Sequence, residues 1–527
     1  MALKLYPFQE AGVAFLLTAS DALLGDAMGV GKSATALSSL RALHELDKNA
    51  LPTLVICPNS TKLNWERETR MWFSDAEPVA IAGTAGEKTK QLKHAASLDN
   101  AIVIINFEAL RSFSRLAPYG SIRLARCREC DKAHGDPCCT PGRCEVHRKA
   151  LNEIPFKTVI VDEAHKMKDP KSKQTRAAWS VMHSKTVQRR WALTGTPLAN
   201  HPGDLWSIMH GVAPYEYPSK SKFVDRFCLS SWNAYGGLDI VGINPERREE
   251  FFKFFDPRFR RMPKELVLTQ LPSKVRQQRH VEMTPKQAKA YKELESTLIT
   301  KLNTGEILVA LNNLSAQTRL LQLSSSYCAI EPDPEAAMGV RVTLAEPSPK
   351  LDALEDIMEE LGDRPLVACA ESKQLINMAA RRMEKAHIPY GLITGDQTQW
   401  ERDQNLKNFQ AGKLRILLFT VKAGGVGLTM TAADTIVFLQ RSWSMIDNRQ
   451  SEDRVHRIGS EVHESINVID IVTRDTIEER QLARLYNKLQ RLEEITRDRV
   501  TLTAHGKSIE HLDNEETRIL NSDLGTL

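Results

Sequence analysis

The chain lacks any apolar run near the roughly 18 residues that would span a bilayer, so no membrane helix is expected. Its first apolar stretch, MALKLYPFQEAGVAFLL, is interrupted by Gln9 and Glu10, which the apolar part of a secretory leader would exclude. A cytoplasmic protein is expected. Excess charge of one sign is also scarce. Lys and Arg number 71 against 66 Asp and Glu, leaving +5. Bulk charge therefore gives no reason to expect a polyanion partner, and any basic surface must be local. No repeat of fixed period and no low-complexity tract is present, which argues against a solenoid or a disordered array. Cysteine is thin outside one segment: of 9, five (Cys127, Cys130, Cys138, Cys139, Cys144) crowd together, while Cys57, Cys228, Cys328 and Cys369 are scattered. An odd, uneven set in a long chain is a poor disulfide framework; the cluster reads as metal chemistry and the rest as small hydrophobes.

What is present is an alternation. At 527 residues the chain is long enough for three or four structural units. TLVICP, AIVIINF, KTVIVDEAH and WALTGTP in the first half are short apolar runs separated by amphipathic stretches. After position 345 come PLVACAE, YGLITG, RILLFT, TIVFLQ and INVIDIVT. Continuous apolar strands imply parallel sheets covered on both faces by helices, so the fold class is α/β with two parallel-sheet domains. The expected boundaries are residues 1–213 for the first, 346–490 for the second, and 491–527 for a loosely held tail. Residues 214–345 are expected to form a helical connector, with the aromatic and basic segment RREEFFKFFDPRFRRM inside it.

DAMGVGKS (Asp26–Ser33) is nearly a phosphate-binding loop, G-x-x-x-x-G-K-[ST], but Asp26 stands where the first glycine belongs. It follows an apolar stretch read as helical and precedes a helical one. Backbone N–H groups of a glycine-rich turn cradle phosphate oxygens, and a helix N-terminus adds positive potential. Asp26, Met28, Gly29, Val30 and Gly31 are thus expected to line ATP, Lys32 to neutralise its β and γ phosphates, and Ser33 to ligate Mg²⁺. VIVDEAH supplies two carboxylates at a strand end: Asp162 for Mg²⁺ and Glu163 to orient and deprotonate water, the division that phosphoryl transfer requires. In LTGTP, Thr194, Gly195 and Thr196 are expected to sense the nucleotide and shift a loop. In the second block, Gly424, Gly425 and Gly427 permit close backbone approach to a ligand. Gln450, Arg454 and Arg457 recur at i, i+4, i+7, the spacing of one helix face. Arginines there suggest guanidinium groups that complete a triphosphate site held by the other domain.

Taken in order, DAMGVGKS, DEAHKMKD, LTGTPLAN, KAGGVGLTMTAAD and QSEDRVHRIG closely resemble the Swi/Snf-type double-stranded-DNA translocases, a branch of the superfamily-two helicases. That family's loop typically reads D-E-M-G-L-G-K-T, so Asp26 belongs to the pattern, while Ala27, Val30 and Ser33 are mild departures. The resemblance runs from about residue 4 to about 485. It implies two tandem RecA-like lobes around ATP and Mg²⁺, with Gln9 of LYPFQEAGVAFL contacting the base, Gly425 and Gly427 near the nucleotide, and Gln450 coupling the lobes. LVICPNSTKLNW and IINFEALRS resemble its DNA-strand motifs, and RRMPKELVLTQLPSK its inter-lobe connector. The size suggests a compact phage- or bacterial-type member, acting in a host cytoplasm if phage-encoded, on double-stranded or branched DNA, as a monomer.

DNA grips are expected at Lys166, Lys168, Lys171 and Lys173, with Arg176 beside them, and more weakly at Lys422 and Trp443. The segment CRECDKAHGDPCCTPGRCEVH, within an insert at 124–150 of the first lobe, is expected to hold a structural Zn²⁺ through Cys127, Cys130, Cys138 and His147, with Cys144 as the alternative to Cys138. Too few apolar residues are present there for a core without metal; the module could meet DNA or a protein partner. The function expected is a DNA-dependent ATPase that translocates on or remodels duplex DNA. The competing readings are a strand-separating or annealing helicase and an ATP-gated DNA clamp without motor activity.

Overall fold

The structure is a computed structural model and describes residues 4–46, 49–115, 149–197, 202–232, 238–267, 270–301, 307–309, 313–333, 340–423, 428–457, 459–496, 503–504 and 507–508. The chain divides into two compact units, one built on residues 1–269 and the other on residues 270–493.

In the first unit the strands run in chain order as β1 (Asp21–Leu24), β2 (Thr53–Cys57), β3 (Glu77–Ala80), β4 (Ala101–Asn106), β5 (Thr158–Asp162) and β6 (Arg189–Leu193). After a hairpin of β7 (Cys228–Trp232) and β8 (Leu238–Ile243) comes the two-residue β9 (Phe259–Arg260). The sheet order is β3-β4-β2-β5-β6-β1-β9, with every pair parallel. Residues of β2 and β4 are buried along their whole length, as expected for strands covered on both faces. The order has a direct consequence. β5, β6 and β1 are neighbours, so the loops leaving their carboxyl ends, DEAH, LTGTP and DAMGVGKS, emerge side by side. That edge is where open parallel sheets bind ligands.

The second unit contributes β10 (Ser273–Val281), two small antiparallel pairs, β11 (Ile299–Lys301) with β12 (Ile307–Val309) and β13 (Tyr327–Pro332) with β14 (Val340–Ala345), then β15 (Leu366–Ala370), β16 (Tyr390–Ile393), β17 (Ile416–Thr420), β18 (Thr435–Phe438) and β19 (Ser465–Thr473). Its parallel sheet runs β10-β19-β18-β15-β17-β16. The core on one face gathers Leu354, Ile357, Leu375, Met383 and Leu418; the other holds Phe409, Phe419, Ile436 and Val468.

Two readings of the sequence are corrected. The stretch before DAMGVGKS, read as helical, ends in the strand DALL, whose last three residues are buried. Four residues are too short for a period to show. Residues 214–345 do not form a helical connector: their first part belongs to the first unit and supplies β9 to its sheet, and their second part supplies β10 to the other. β10 escaped notice because SKVRQQRHV is an edge strand with half-exposed, polar residues rather than an apolar run.

Candidate nucleotide-hydrolysis site

Helix α1 (Pro7–Thr18) carries Gln9 into the first unit, where it is buried. Helix α2 (Lys32–Glu45) begins where DAMGVGKS ends, capped by Gly31 in the left-handed region at φ +84°. Gly29 is also left-handed, at φ +77°. These are the positive-φ bends a phosphate cradle needs, and glycine makes them without strain. Packing adds a second restriction: a Cβ on Gly31 would lie 2.4 Å from Gln9 Nε2. Gln9 donates from Nε2 to the Val30 carbonyl at 3.0 Å and accepts from Tyr6 N–H at 2.9 Å. Its amide thus fastens the loop to α1. Lys32 Nζ donates to the Asp26 and Ala27 carbonyls at 3.0 and 2.9 Å, folding back inside its own loop. Burial lowers its pKa, against the opposing pull of Glu163, Asp162 and Asp26.

Asp26, the departure from the strict loop pattern, is buried and ion-paired with Arg260 of β9. Burial raises the Asp26 carboxyl despite the opposing charge of Arg260. Arg261 donates to the carbonyls of Gly25 and, at 2.9 Å, Gly195. Neither arginine was picked out as a site residue. The signal available was the Arg260–Arg261 doublet closing the aromatic, basic segment, far along the chain from the loop it holds.

Asp162 ends β5. Its Oδ2 accepts from Trp65 Nε1 at 2.9 Å and its Oδ1 from Glu163 N–H at 2.9 Å. Glu163 holds φ +51°, an uncommon conformation for a non-glycine residue and one found at functional turns. Its Oε2 lies 3.2 Å from His165 Nδ1, which also lies 3.2 Å from Thr194 Oγ1. The Thr194 hydroxyl donates to the Thr196 carbonyl at 3.1 Å and accepts from Thr196 N–H at 3.2 Å. DEAH and LTGTP are thereby joined through one imidazole. Burial and the charge of Glu163 push Asp162 up. For Glu163 burial acts in the same sense, but the hydrogen bond and charge of His165, with help from Lys32, hold it down. Gly195 packs on the phosphate loop, where a Cβ would meet Met28 Cγ at 2.5 Å.

Helix α3 (Lys62–Trp72) approaches the same place with residues one turn apart. Trp65 serves Asp162, and Glu68 accepts from Asn64 at 2.7 Å. Burial raises the Glu68 carboxyl. Trp65 lay within LNW, read as a DNA-strand motif; the i, i+3 spacing of Trp65 and Glu68 was the signal for a shared direction.

In the second unit, the helix Met445–Val455 carries Gln450 and Arg454, and Gln450 is buried. The helix stops at Val455, so Arg457 does not share its face. The i, i+4, i+7 reading is corrected there, since His456 leaves the helix and places Nε2 2.9 Å from the Pro272 carbonyl. Arg454 and Arg457 nevertheless converge, each donating to Leu428 O at 3.3 Å. The helix is fixed by buried ions. Glu452, 3 % exposed, takes Arg276 at 2.6 Å and Arg441 at 2.9 Å, and Arg441 also binds Asp470 at 2.6 Å while its guanidinium lies 3.7 Å from the Phe438 ring centre.

Of the remaining candidates, Lys168, Lys171 and Lys173 are exposed near the DEAH loop. Lys166 lies over the Phe107 ring at 5.7 Å. Lys422 pairs with Glu371 at 2.6 Å, and Trp443 packs against the core with Arg484 over its ring. Gly425 and Gly427 lie outside the described residues, as do Cys127, Cys130, Cys138 and His147. Among the described residues no group of three or more His, Cys, Asp or Glu is placed to hold a metal ion, and no helix is long and apolar enough to cross a membrane.

The donor set fits ATP with Mg²⁺. Magnesium needs only one or two protein oxygens beside phosphate and water, and Asp162 and Ser33 supply that chemistry. The left-handed glycines and the ammonium of Lys32 have the geometry and charge that a phosphate cradle would require. When bound, the metal–nucleotide complex would bring the anhydride bond to be cleaved and the positive charge that stabilises its cleavage.

Residues 8–329 match the SNF2-related domain, and residues 349–459 match the helicase conserved C-terminal domain. The chain is 26% identical to an uncharacterized ATP-dependent helicase of Mycoplasma genitalium, over 93% of this chain and 42% of that protein. It is also 26% identical to the ISWI chromatin-remodeling complex ATPase ISW1 of Saccharomyces cerevisiae, over 92% of this chain and 40% of the other. It thus spans well under half the length of these relatives. Among solved structures, the Sulfolobus solfataricus SWI2/SNF2 ATPase core in complex with dsDNA is 20% identical, covers 96% of this chain and 98% of its own, and superposes with a TM-score of 0.40. With the first of these domains covering residues 8–329 of 527, the chain belongs to the SNF2-related domain family and carries a helicase C-terminal domain after it.

Proposed function

We propose that the chain is a DNA-dependent ATPase that uses hydrolysis to translocate on double-stranded DNA or remodel what is bound to it. The observation that carries the reading is the sheet order β5-β6-β1 in the first unit, which brings Lys32, Ser33, Asp162, Glu163 and the LTGTP loop to one edge. In this reading Asp162 and Ser33 hold the metal, Lys32 leaves its loop carbonyls for the β and γ phosphates, and Glu163 takes the proton of the attacking water. Arg454 and Arg457 act as the guanidinium partners supplied by the second unit, with Gln450 beside them. A ligand held better with the units closed than open shifts that equilibrium, and alternating grip on the backbone moves the protein along the duplex. The grips are assigned to Lys166, Lys168, Lys171 and Lys173, and more weakly to Lys422. Contacts of this kind engage phosphate and carry no sequence information. All the motif groups for one site lie on one chain, so the working unit is proposed to be a monomer.

ATPase activity with and without duplex DNA tests the reading: stimulation by duplex is expected, and hydrolysis indifferent to DNA would oppose it. Triplex displacement without fork unwinding separates a translocase from a strand-separating enzyme. For the insert, the C-x-x-C spacing with Cys138 and His147 supports one structural zinc, and metal analysis of the purified protein decides it.

A further inference from the structure

The segment from Phe259 to Lys264 touches the nucleotide site at several points. Its backbone accepts from Gly25 N–H through the Arg260 carbonyl at 2.7 Å and from Ala27 N–H through the Met262 carbonyl at 3.0 Å. Arg260 pairs with Asp26 and donates to the Phe8 carbonyl of α1 at 2.7 Å. Arg261 reaches the carbonyls of Gly25 and Gly195, so one guanidinium spans the phosphate loop and the LTGTP loop. Lys264, 5 % exposed, brings Nζ to 3.9 Å from where a Cβ on Gly29 would sit. Asp26, 2 % exposed, keeps Oδ1 buried and without a hydrogen bond among the described residues.

A buried ion pair of this kind is a weak source of stability, because desolvation offsets most of the Coulomb attraction. A strict phosphate loop has glycine here and buries no charge. The carboxylate therefore serves something other than holding the fold together. Arg261 meets the very loop whose Thr194 hydroxyl touches His165, the partner of Glu163.

We propose that Arg260 and Arg261 are positioning residues of the hydrolytic reaction. They keep the phosphate loop and the LTGTP loop in register and tie both to the chain that leads on to the second unit at Gln270. The proposal rests on the ATPase reading above and adds to it a route from the phosphate loop to the chain leading on to the second unit, carried by two arginines outside the motifs.

The test compares steady-state ATPase, with and without duplex DNA, and binding of a fluorescent ADP analogue with Mg²⁺. The full chain is compared with Arg261→Lys, Arg260→Ala, Asp26→Gly and the double variant Asp26→Gly/Arg260→Ala. A lysine keeps the charge but cannot span two carbonyls, so Arg261→Lys should lose about tenfold or more in kcat, with KM and ADP affinity within about threefold. Arg260→Ala leaves the Asp26 carboxylate buried without its counter-ion and should lose more activity than the double variant, which removes both charges. Rescue by the double variant also excludes simple misfolding as the cause, and melting without nucleotide monitors it directly. Wild-type kcat in Arg261→Lys, or a double variant as damaged as its singles combined, overturns the proposal alone. A wild-type chain that binds no Mg²⁺–ADP overturns the ATPase reading and this proposal with it.

Discussion

Trp65 and Asp162 stand 97 residues apart in the chain, and the indole N–H of the first donates to Oδ2 of the second at 2.9 Å. Trp65 is fully buried, so this donor is exchanged with no water. It orients the carboxylate assigned to the metal, as a group behind a ligand commonly does. Trp65→Phe keeps the apolar packing and removes the donor. The expected result is a folded protein with ATPase reduced about tenfold and a raised Mg²⁺ requirement, read from a magnesium titration of the rate. An unchanged titration would show that Asp162 needs no such orientation.

In the proposed reading Lys32 neutralises phosphate and Glu163 takes the proton of the attacking water. Lys32→Ala and Glu163→Gln should each lower turnover by about a hundredfold or more. They should differ in binding: Glu163→Gln still retains Mg²⁺–ADP, whereas Lys32→Ala weakens it. DNA-stimulated hydrolysis at the normal rate in either variant would refute the site assignment.

Glu452 sits between the guanidinium groups of Arg276 and Arg441. Their charges hold its carboxyl well below the usual range against the effect of burial. Glu452→Ala strands buried cations and should destabilise the second unit by about 3–5 kcal/mol. Loss of Arg454 alone should leave stability within about 1 kcal/mol while abolishing turnover. Chemical denaturation of both variants separates a residue that holds the helix from one that the helix presents.

His183 gives the first unit a pH dependence. Burial, with His210 and Arg190 nearby, lowers its pKa from 6.5 to about 4. Its Nε2 lies 3.0 Å from the His210 carbonyl. Since the folded value lies below the unfolded one, its contribution is complete above pH 6.5 and is lost as pH falls toward 4. The loss is about 3 kcal/mol across that window. Denaturation midpoints measured from pH 7 to 4 should fall in wild type and fall less in His183→Gln.

Most of the strands were legible because they are apolar throughout, and the shortness and β-branched content of a run such as Ile102–Ile105 favour a buried parallel strand over a helix. DALL and Phe259–Arg260 were not, since so few residues show no period. Lys32, Asp162 and Glu163 could be named from spacing, because their chemistry is local to short motifs. Trp65, Arg260 and Arg261 act on atoms far away in the chain, and only the sheet order and helix packing reveal their targets. Arg457 was placed on a helix that ends two residues before it, because no proline or glycine in QSEDRVHR marks the turn at His456.

Asn152 offers a last consequence. Its side-chain carbonyl accepts from Arg115 N–H at 2.8 Å and from Lys149 N–H at 3.3 Å. Those two backbone nitrogens are therefore no more than about 6 Å apart, a gap that two residues bridge. One side-chain amide thus holds the backbone at Arg115 and at Lys149 together. For any segment joining two ends so placed, the closure entropy grows only with the logarithm of its length. Changes of length between positions 115 and 149 should therefore cost the first unit little stability.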